Sequence, residues 1–158
     1  YDLPYIITNC SNNYGPHQHF EKLIPKIISN GINNKSIPIY GEGRQIRDWL
    51  FVDDHAEALI NVIEKGKIFE TYNIGGNCEL RNIDVVQKIC SMLEEIKKLD
   101  EGEISKNIIF VKDRPGHDFR YAINANKIKK ELGWSPKYTF DRGIKETIEW
   151  YIETNNIK

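Results

Sequence analysis

Residues 38–59 read PIYGEGRQIRDWLFVDDHAEAL, and this stretch decides the fold. Ser36 to Tyr40 is a short β-prone run, Gly41-Glu42-Gly43 is tight-turn chemistry, and Ile46 to Val52 is a second β-prone run. Asp53 then stands as the N-cap of a helix that carries Ala56, Leu59, Ile60 and Ile63 on one face, with Gly66 as its stop. Strand, turn, strand and helix in immediate succession predict a mixed α/β protein.

The same alternation continues outward. Downstream, Thr71 to Ile74 reads as a strand ending in Gly75-Gly76. Asn82 is placed to cap a helix with Ile83, Val86, Ile89, Cys90 and Leu93 inward. Lys97 to Asn107 is charged and apolar-poor and reads as an exposed loop. Ile108 to Val111 is a strand. Asn124 opens a short helix ending at Gly133, and Asp141 caps a last helix with Ile144, Ile148, Tyr151 and Ile152 inward. Upstream, Tyr5 to Cys10 reads as a buried strand and Ser11 to Pro16 as a turn. Phe20, Leu23, Ile24, Ile27 and Ile28 then mark one helical face, with Gly31 placed to end it. Pro25 inside that pattern means either a kink or the helix's true first turn.

Composition bounds the function. The chain has 158 residues, with 22 basic against 23 acidic side chains and a net charge of −1. A chain of this length buries about 70% of the surface its unfolded form exposes, so no staple is needed. Near-neutrality argues against a nucleic-acid or acidic-membrane binder. No apolar run approaches the roughly 20 residues of a membrane span. Three cysteines, Cys10, Cys78 and Cys90, are an odd number without a Cys-x-x-Cys pair. That fits a reducing cytoplasm better than a disulfide scaffold or zinc ribbon. The opening Tyr1-Asp2-Leu3-Pro4 lacks an initiator Met and a signal peptide, and the expectation is a piece of a longer protein.

Four polar clusters lie in or beside the loops. Asn12-Asn13-Tyr14-Gly15-Pro16 follows a strand, where α/β proteins place ligands, although asparagine and glycine also simply make turns. Lys22-Leu23 sits on the following helix, where a lysine is ordinarily just solvated. Arg47 shares a strand face with Trp49 and Phe51. Its planar guanidinium suits a diphosphate, and the competing reading is a salt bridge to Asp48 or Asp53. Asp113-Arg114-Pro115-Gly116-His117 is a short, rigid, cationic loop suited to phosphate or sugar hydroxyls, or an ordinary turn. His17 and His19 lack the partners of a metal site, so no metal is expected, and His55 reads as capping or packing. The glycines fit no G-x-G-x-x-G fingerprint, no tyrosine precedes a lysine by four residues, and there is no G-x-S-x-G or P-loop. Whatever this chain binds, its own catalytic equipment therefore reads as incomplete.

Taken in order, the segments TNCSNNYGPHQHFEKLIP (8–25), PIYGEGRQIRDWLFVDDHAEAL (38–59), TYNIGGNCELRNIDVV (71–86), DRPGHDFRYAINANKIKKELGW (113–134) and TFDRGIKETIEWY (139–151) resemble the carboxyl-terminal half of the extended short-chain dehydrogenase/reductases. Within these, the similarity is to the dTDP-glucose 4,6-dehydratase family. SNNYGP, RDWLFVDDH and DRPGHD together are specific, whereas each alone would be weak.

The resemblance implies that residues 1–158 form the nucleotide-sugar-binding carboxyl-terminal portion of a Rossmann-like α/β fold, mainly its small substrate domain. The amino-terminal half, absent from this chain, would hold NAD and the catalytic groups. In the family, a hydride passes from sugar C4 to NAD, water leaves across C5 and C6, and the hydride returns to C6, on the way to deoxysugars such as rhamnose. The resemblance further implies substrate contacts at Asn12, Lys22, Leu23, Pro38, Ile39, Tyr40, Arg47 and Asn82, and at Asp113, Arg114, Pro115, Gly116 and His117. It places Asn13 on the cofactor side. A homodimer is implied for the full-length protein. The alternatives are a related UDP-sugar dehydratase, epimerase or decarboxylase, or a non-catalytic binding module.

Overall fold

The computed structural model describes residues 2–155. The strands are β1 (Ile7–Cys10), β2 (Asn12–Tyr14), β3 (Ile37–Tyr40), β4 (Ile46–Phe51), β5 (Thr71–Ile74), β6 (Glu79–Arg81), β7 (Ile108–Val111) and β8 (Arg120–Tyr121). The helices are α1 (Leu23–Ile32), α2 (Val52–Lys65), α3 (Asn82–Lys97), α4 (Asn126–Leu132) and α5 (Phe140–Asn155). The expected α/β class holds, and pairing is mostly parallel. β1 pairs with β5, β3 with β7, and β4 with β2 and β8, all parallel, while β4 and β6 run antiparallel.

Two apolar cores result. The larger joins Ile24, Ile27 and Ile28 of α1, Val86, Ile89 and Leu93 of α3, and Ile144 and Ile148 of α5 to Tyr14 and Phe51 of the sheet. The smaller packs Leu50, Ala58, Val62, Tyr72, Ile74 and Ile128 together. β4 separates them, because successive side chains on a strand point to opposite faces. Phe51 goes to the first core and Leu50 to the second.

Several elements differ from the sequence expectation, each for a physical reason. Ser11 to Pro16 is not only a turn: Asn12–Tyr14 becomes a strand because β4 supplies a parallel partner. Strand β1 is not buried; it alternates between exposed and half-buried, and β5 is its one strand partner among the described residues. Gly31 does not end α1. It lies inside the helix and is buried, where an added Cβ would meet Leu93 at 2.8 Å and Ile104 at 3.2 Å. Pro25 occupies the first turn, where its missing N–H costs nothing, and Phe20 stands outside the helix, exposed.

On α2 the buried residues are Asp54, Ala58 and Val62, whereas Ala56, Ile60 and Ile63 are exposed. Asp54 turns inward because its carboxylate accepts the backbone N–H groups of Lys137 and Tyr138 at 3.0 and 2.9 Å. The helix begins at Val52, so Asp53 lies in its first turn instead of capping it. Asn82 and Asp141 likewise sit just inside their helices. Asn124 does cap locally, its Oδ1 accepting the N–H of Asn126, and Gly133 ends α4 in the left-handed conformation that glycine adopts without strain. The segment from Lys97 to Asn107 is anchored, not free. Ile104 is buried, and the carboxylate of Glu94 accepts N–H bonds from Gly102, Ile104 and Ser105 at 3.1, 2.7 and 3.0 Å.

Candidate functional site

The parallel register of β2 on β4 aligns Asn12 with Trp49, Asn13 with Leu50 and Tyr14 with Phe51. Aligned residues share a face, so one side of this ribbon carries Asn12 and Tyr14 beside Arg47, Trp49 and Phe51. Tyr14 and Phe51 are sealed in the core. Asn12 and Arg47, together with Trp49 at the margin of that core, line a cleft of about 360 Å³. The start of α1 contributes Lys22 and Leu23, β3 contributes Pro38 and Tyr40, the start of α3 contributes Asn82, and the loop after β7 contributes Arg114 and His117. Segments far apart in sequence thus converge on one hollow.

The remaining expected residues are placed differently. Alternation along β3 turns Pro38 and Tyr40 to the cleft and sends Ile39 into the core, 2% exposed. Asp113, Pro115 and Gly116 do not line the cleft; they shape the loop that does. The Asp113 carboxylate accepts from the Gln45 side-chain amide at 2.7 Å and from the Arg114 N–H at 2.9 Å, and it lies 2.7 Å from His117 Nδ1. That contact fixes the imidazole against Asp113 and, with the other bonds, holds the carboxyl below the usual carboxylate range. Gly41 makes room: a Cβ there would meet Asp113 Oδ2 at 3.2 Å. Gly116, at φ 68°, adopts a conformation other residues take only with strain.

Asn13 points away from the cleft. Its Oδ1 lies 2.9 Å from His55 Nδ1, and its Nδ2 donates to the Ser11 carbonyl at 3.1 Å. His55 therefore packs against Asn13, and burial lowers its pKa.

Arg47 is the most deeply buried charged residue lining the cleft. It is 8% exposed. Its guanidinium donates to the carbonyls of Ile46 at 2.7 Å and Asp118 at 2.8 Å, and it forms no carboxylate ion pair among the described residues. The competing readings from sequence fail. Asp48 spends its carboxylate on the N–H groups of Gly76 and Cys78 at 3.0 and 2.7 Å, and Asp53 lies exposed on α2. Burial lowers the Arg47 pKa, Asp118 opposes that and Arg114 adds to it. A buried cation with no carboxylate at ion-pair distance is costly, and a ligand that supplies negative charge relieves that cost.

Sequence reasoning missed three lining residues: Trp49, Lys26 and Glu21. Trp49 was legible through the strand face it shares with Arg47, and Lys26 through its i, i+4 relation to Lys22. With Lys22, Lys26, Arg47 and Arg114 against Glu21 alone, the lining carries an excess of positive charge. Three buried polar atoms of the lining residues lack any partner: Asn12 Oδ1, Asn82 Oδ1 and Trp49 Nε1. Cations, free amide oxygens and an apolar wall of Pro38, Tyr40 and Leu23 suit a ligand that is part anion, part polyol and part flat ring. No group of three or more metal-ligating side chains exists among the described residues.

Comparison with known proteins agrees in kind. The sequence profile of the family described as GDP-mannose 4,6 dehydratase matches residues 1–147. A dTDP-glucose 4,6-dehydratase of Shigella flexneri is 57% identical over 156 residues, covering 99% of this chain and 43% of that protein. The dTDP-glucose 4,6-dehydratase of Haemophilus influenzae is 54% identical, covering 96% of this chain and 46% of that protein. The chain thus spans less than half the length of these curated relatives.

Among solved structures, the dTDP-glucose 4,6-dehydratase of Bacillus anthracis in complex with NAD superposes with a TM-score of 0.85 at 48% identity, covering 96% of this chain and 45% of that one. UDP-glucose 4-epimerase of Thermotoga maritima, solved with UDP-glucose, gives 0.82 at 26% identity, covering 98% and 48%. The fold is the Rossmann-like α/β arrangement of these enzymes. By the span of the profile match and these alignments, the chain belongs to the GDP-mannose 4,6-dehydratase family of short-chain dehydrogenase/reductase enzymes.

Proposed function

We propose that residues 1–158 are the nucleotide-sugar-binding, carboxyl-terminal portion of an NAD-dependent dTDP-glucose 4,6-dehydratase. The whole protein would convert dTDP-glucose to dTDP-4-keto-6-deoxyglucose and water, a step toward deoxysugars such as rhamnose. The observation that carries this reading is the cleft: a buried, unpaired Arg47 guanidinium beside apolar Tyr40 and Pro38, with free amide oxygens of Asn12 and Asn82 alongside. Arg47, Arg114 and Lys22 would neutralise the diphosphate through charge-assisted bonds. Tyr40, Pro38 and Leu23 would flank the base. Identities of 54–57% to dehydratases, against 26% to the UDP-glucose epimerase, favour the dehydratase over its sister reactions.

Among the described residues no glycine-rich strand-to-helix turn of the kind that receives a dinucleotide's pyrophosphate is present, and the Asn13 side chain is engaged with His55 and Ser11. The cofactor belongs, on this reading, to an amino-terminal portion, with Asn13 on its side of the site. The open edge of β1 supports such a partner. Beside it runs an apolar groove of about 460 Å³ lined by Tyr5, Ile6, Leu59, Val62 and Ile63. An unpaired parallel edge beside exposed apolar side chains calls for a neighbouring strand and helix. The full-length protein would be a cytoplasmic homodimer; no described helix is long and apolar enough to cross a membrane, and all three cysteines are free.

The test is calorimetric titration of the chain with dTDP-glucose, dTDP and NAD, paired with a product assay. The expected result is weak binding of the two dTDP ligands, none of NAD, and no 4-keto-6-deoxy product from this chain alone. Binding of NAD in preference to dTDP would overturn the assignment.

A further inference from the structure

We propose that the indole N–H of Trp49 is a ligand-directed donor, reserved for a hydroxyl on the glycosyl part of a sugar nucleotide. It would thereby distinguish the sugar nucleotide from the bare nucleoside diphosphate. The inference rests on the reading of the cleft given above and goes one residue deeper.

Trp49 is 6% exposed, lines the cleft, and its Nε1 has no hydrogen-bond partner. A buried N–H without an acceptor is rare in a folded protein and calls for a partner; Trp134 Nε1 is in the same condition, but Trp49 lines the cleft and Trp134 does not. Two acceptors in the same condition line the same cleft, Asn12 Oδ1 and Asn82 Oδ1. The register sets Asn12 directly beside Trp49 on one sheet face, yet neither side chain satisfies the other.

The group that completes such a set must accept from the indole and donate to an amide oxygen. A hydroxyl does both; a phosphate oxygen only accepts, and it would face the negative ends of two amides. The two amide oxygens decide the matter: the indole donates to a hydroxyl or a phosphate alike, but Asn12 Oδ1 and Asn82 Oδ1 need a donor, which a hydroxyl supplies and a phosphate does not. Arg47, two residues away on the same face of β4, already answers the anionic part of the ligand. The non-ionic part is what remains for Trp49.

Trp49 also packs edge-on against Tyr14, with ring centroids 6.3 Å apart, so the test must separate recognition from packing. The chain has three tryptophans, hence three indole N–H signals in a ¹⁵N spectrum, and the Trp49→Phe variant identifies the one in question. Titration with dTDP-glucose should move the Trp49 indole signal, while saturation with dTDP should leave it in place.

By calorimetry, Trp49→Phe should weaken dTDP-glucose roughly five- to tenfold, the loss expected for one neutral hydrogen bond, and leave dTDP within about twofold. Equal weakening of both ligands would assign Trp49 to packing alone and overturn the proposal. So would an indole signal that answers both ligands equally, or neither while both bind. If the phenylalanine variant does not fold, β-(3-benzothienyl)alanine at position 49 keeps the bicyclic shape and removes only the N–H. The same selective loss is expected of it. A wild-type chain that binds neither nucleotide would instead refute the reading of the cleft itself.

Discussion

Replacing Arg47 by alanine should weaken nucleotide binding far more than it weakens the fold. The side chain is 8% exposed and donates to two backbone carbonyls. That leaves three of its five N–H donors for a ligand. Loss of a charge-assisted bond costs about 2 kcal/mol, which is about thirtyfold in Kd. Stability has opposing contributions. Two carbonyls lose a donor, at about 1 kcal/mol each, but a buried cation without a carboxylate partner also disappears, and its desolvation cost with it. The net change in unfolding free energy should stay within about 1 kcal/mol.

The assay is calorimetry with dTDP at low salt, alongside urea unfolding of the same samples. Salt gives a second signature: wild-type affinity should fall as ionic strength rises, and the variant's should fall less steeply. Arg120→Ala is the control. It removes an exposed bidentate pair with Glu79 at 2.6 and 2.7 Å, should change stability little because solvent screens the pair, and should leave dTDP affinity unchanged. A folded Arg47→Ala protein with a Kd within twofold of wild type would refute the reasoning.

Three further outcomes are expected. Gly31→Ala gains about 1 kcal/mol of helix propensity but drives a methyl into buried Leu93 and Ile104, where overpacking costs about 1–3 kcal/mol; the urea midpoint should fall, and a rise would contradict the packing. Asp48→Ala strips the acceptor from the N–H groups of Gly76 and Cys78 and should cost about 2–4 kcal/mol in the same assay. Burial would raise the pKa of Glu94, but the N–H groups of Ser105, Ile104 and Gly102 outweigh it and hold the carboxyl below its ordinary value. The unfolded chain therefore takes up this proton at higher pH than the native one. The stabilisation is fully present above the ordinary glutamate pKa of about 4.3 and is lost as pH falls through the native value; Glu94→Gln should flatten that part of the stability profile, and an unchanged slope would count against the carboxylate as the loop's anchor.

The elements most legible in the sequence are those whose local pattern is also their tertiary role. The apolar positions of α3 at Val86, Ile89, Cys90 and Leu93 recur at helical spacing and turn inward, and Gly133 stops α4 where a left-handed residue is needed. Legibility fails where a distant partner decides. On α2, isoleucines 60 and 63 read as core from their type, but Asp54 is drawn inward by backbone donors at 137 and 138, and the apolar pair is left outside. Asn12 and Asn13 read as turn formers until β4 offers a parallel edge.

The site shows the same division. Which loops meet could be read from their clustered charges and from the family resemblance. Which side chains face the cleft depends on strand alternation, and that sends Ile39 inward while Pro38 and Tyr40 face the ligand.

Assigned ¹⁵N chemical-shift mapping of this chain with dTDP-glucose tests the cleft most directly. Signals of Asn12, Arg47, Asn82, Arg114 and His117 should move together at one saturating concentration, and NAD at the same concentration should leave them in place. Perturbations gathered instead on the groove beside β1, or scattered over the surface with those five unmoved, would contradict the assignment of this hollow to a sugar nucleotide.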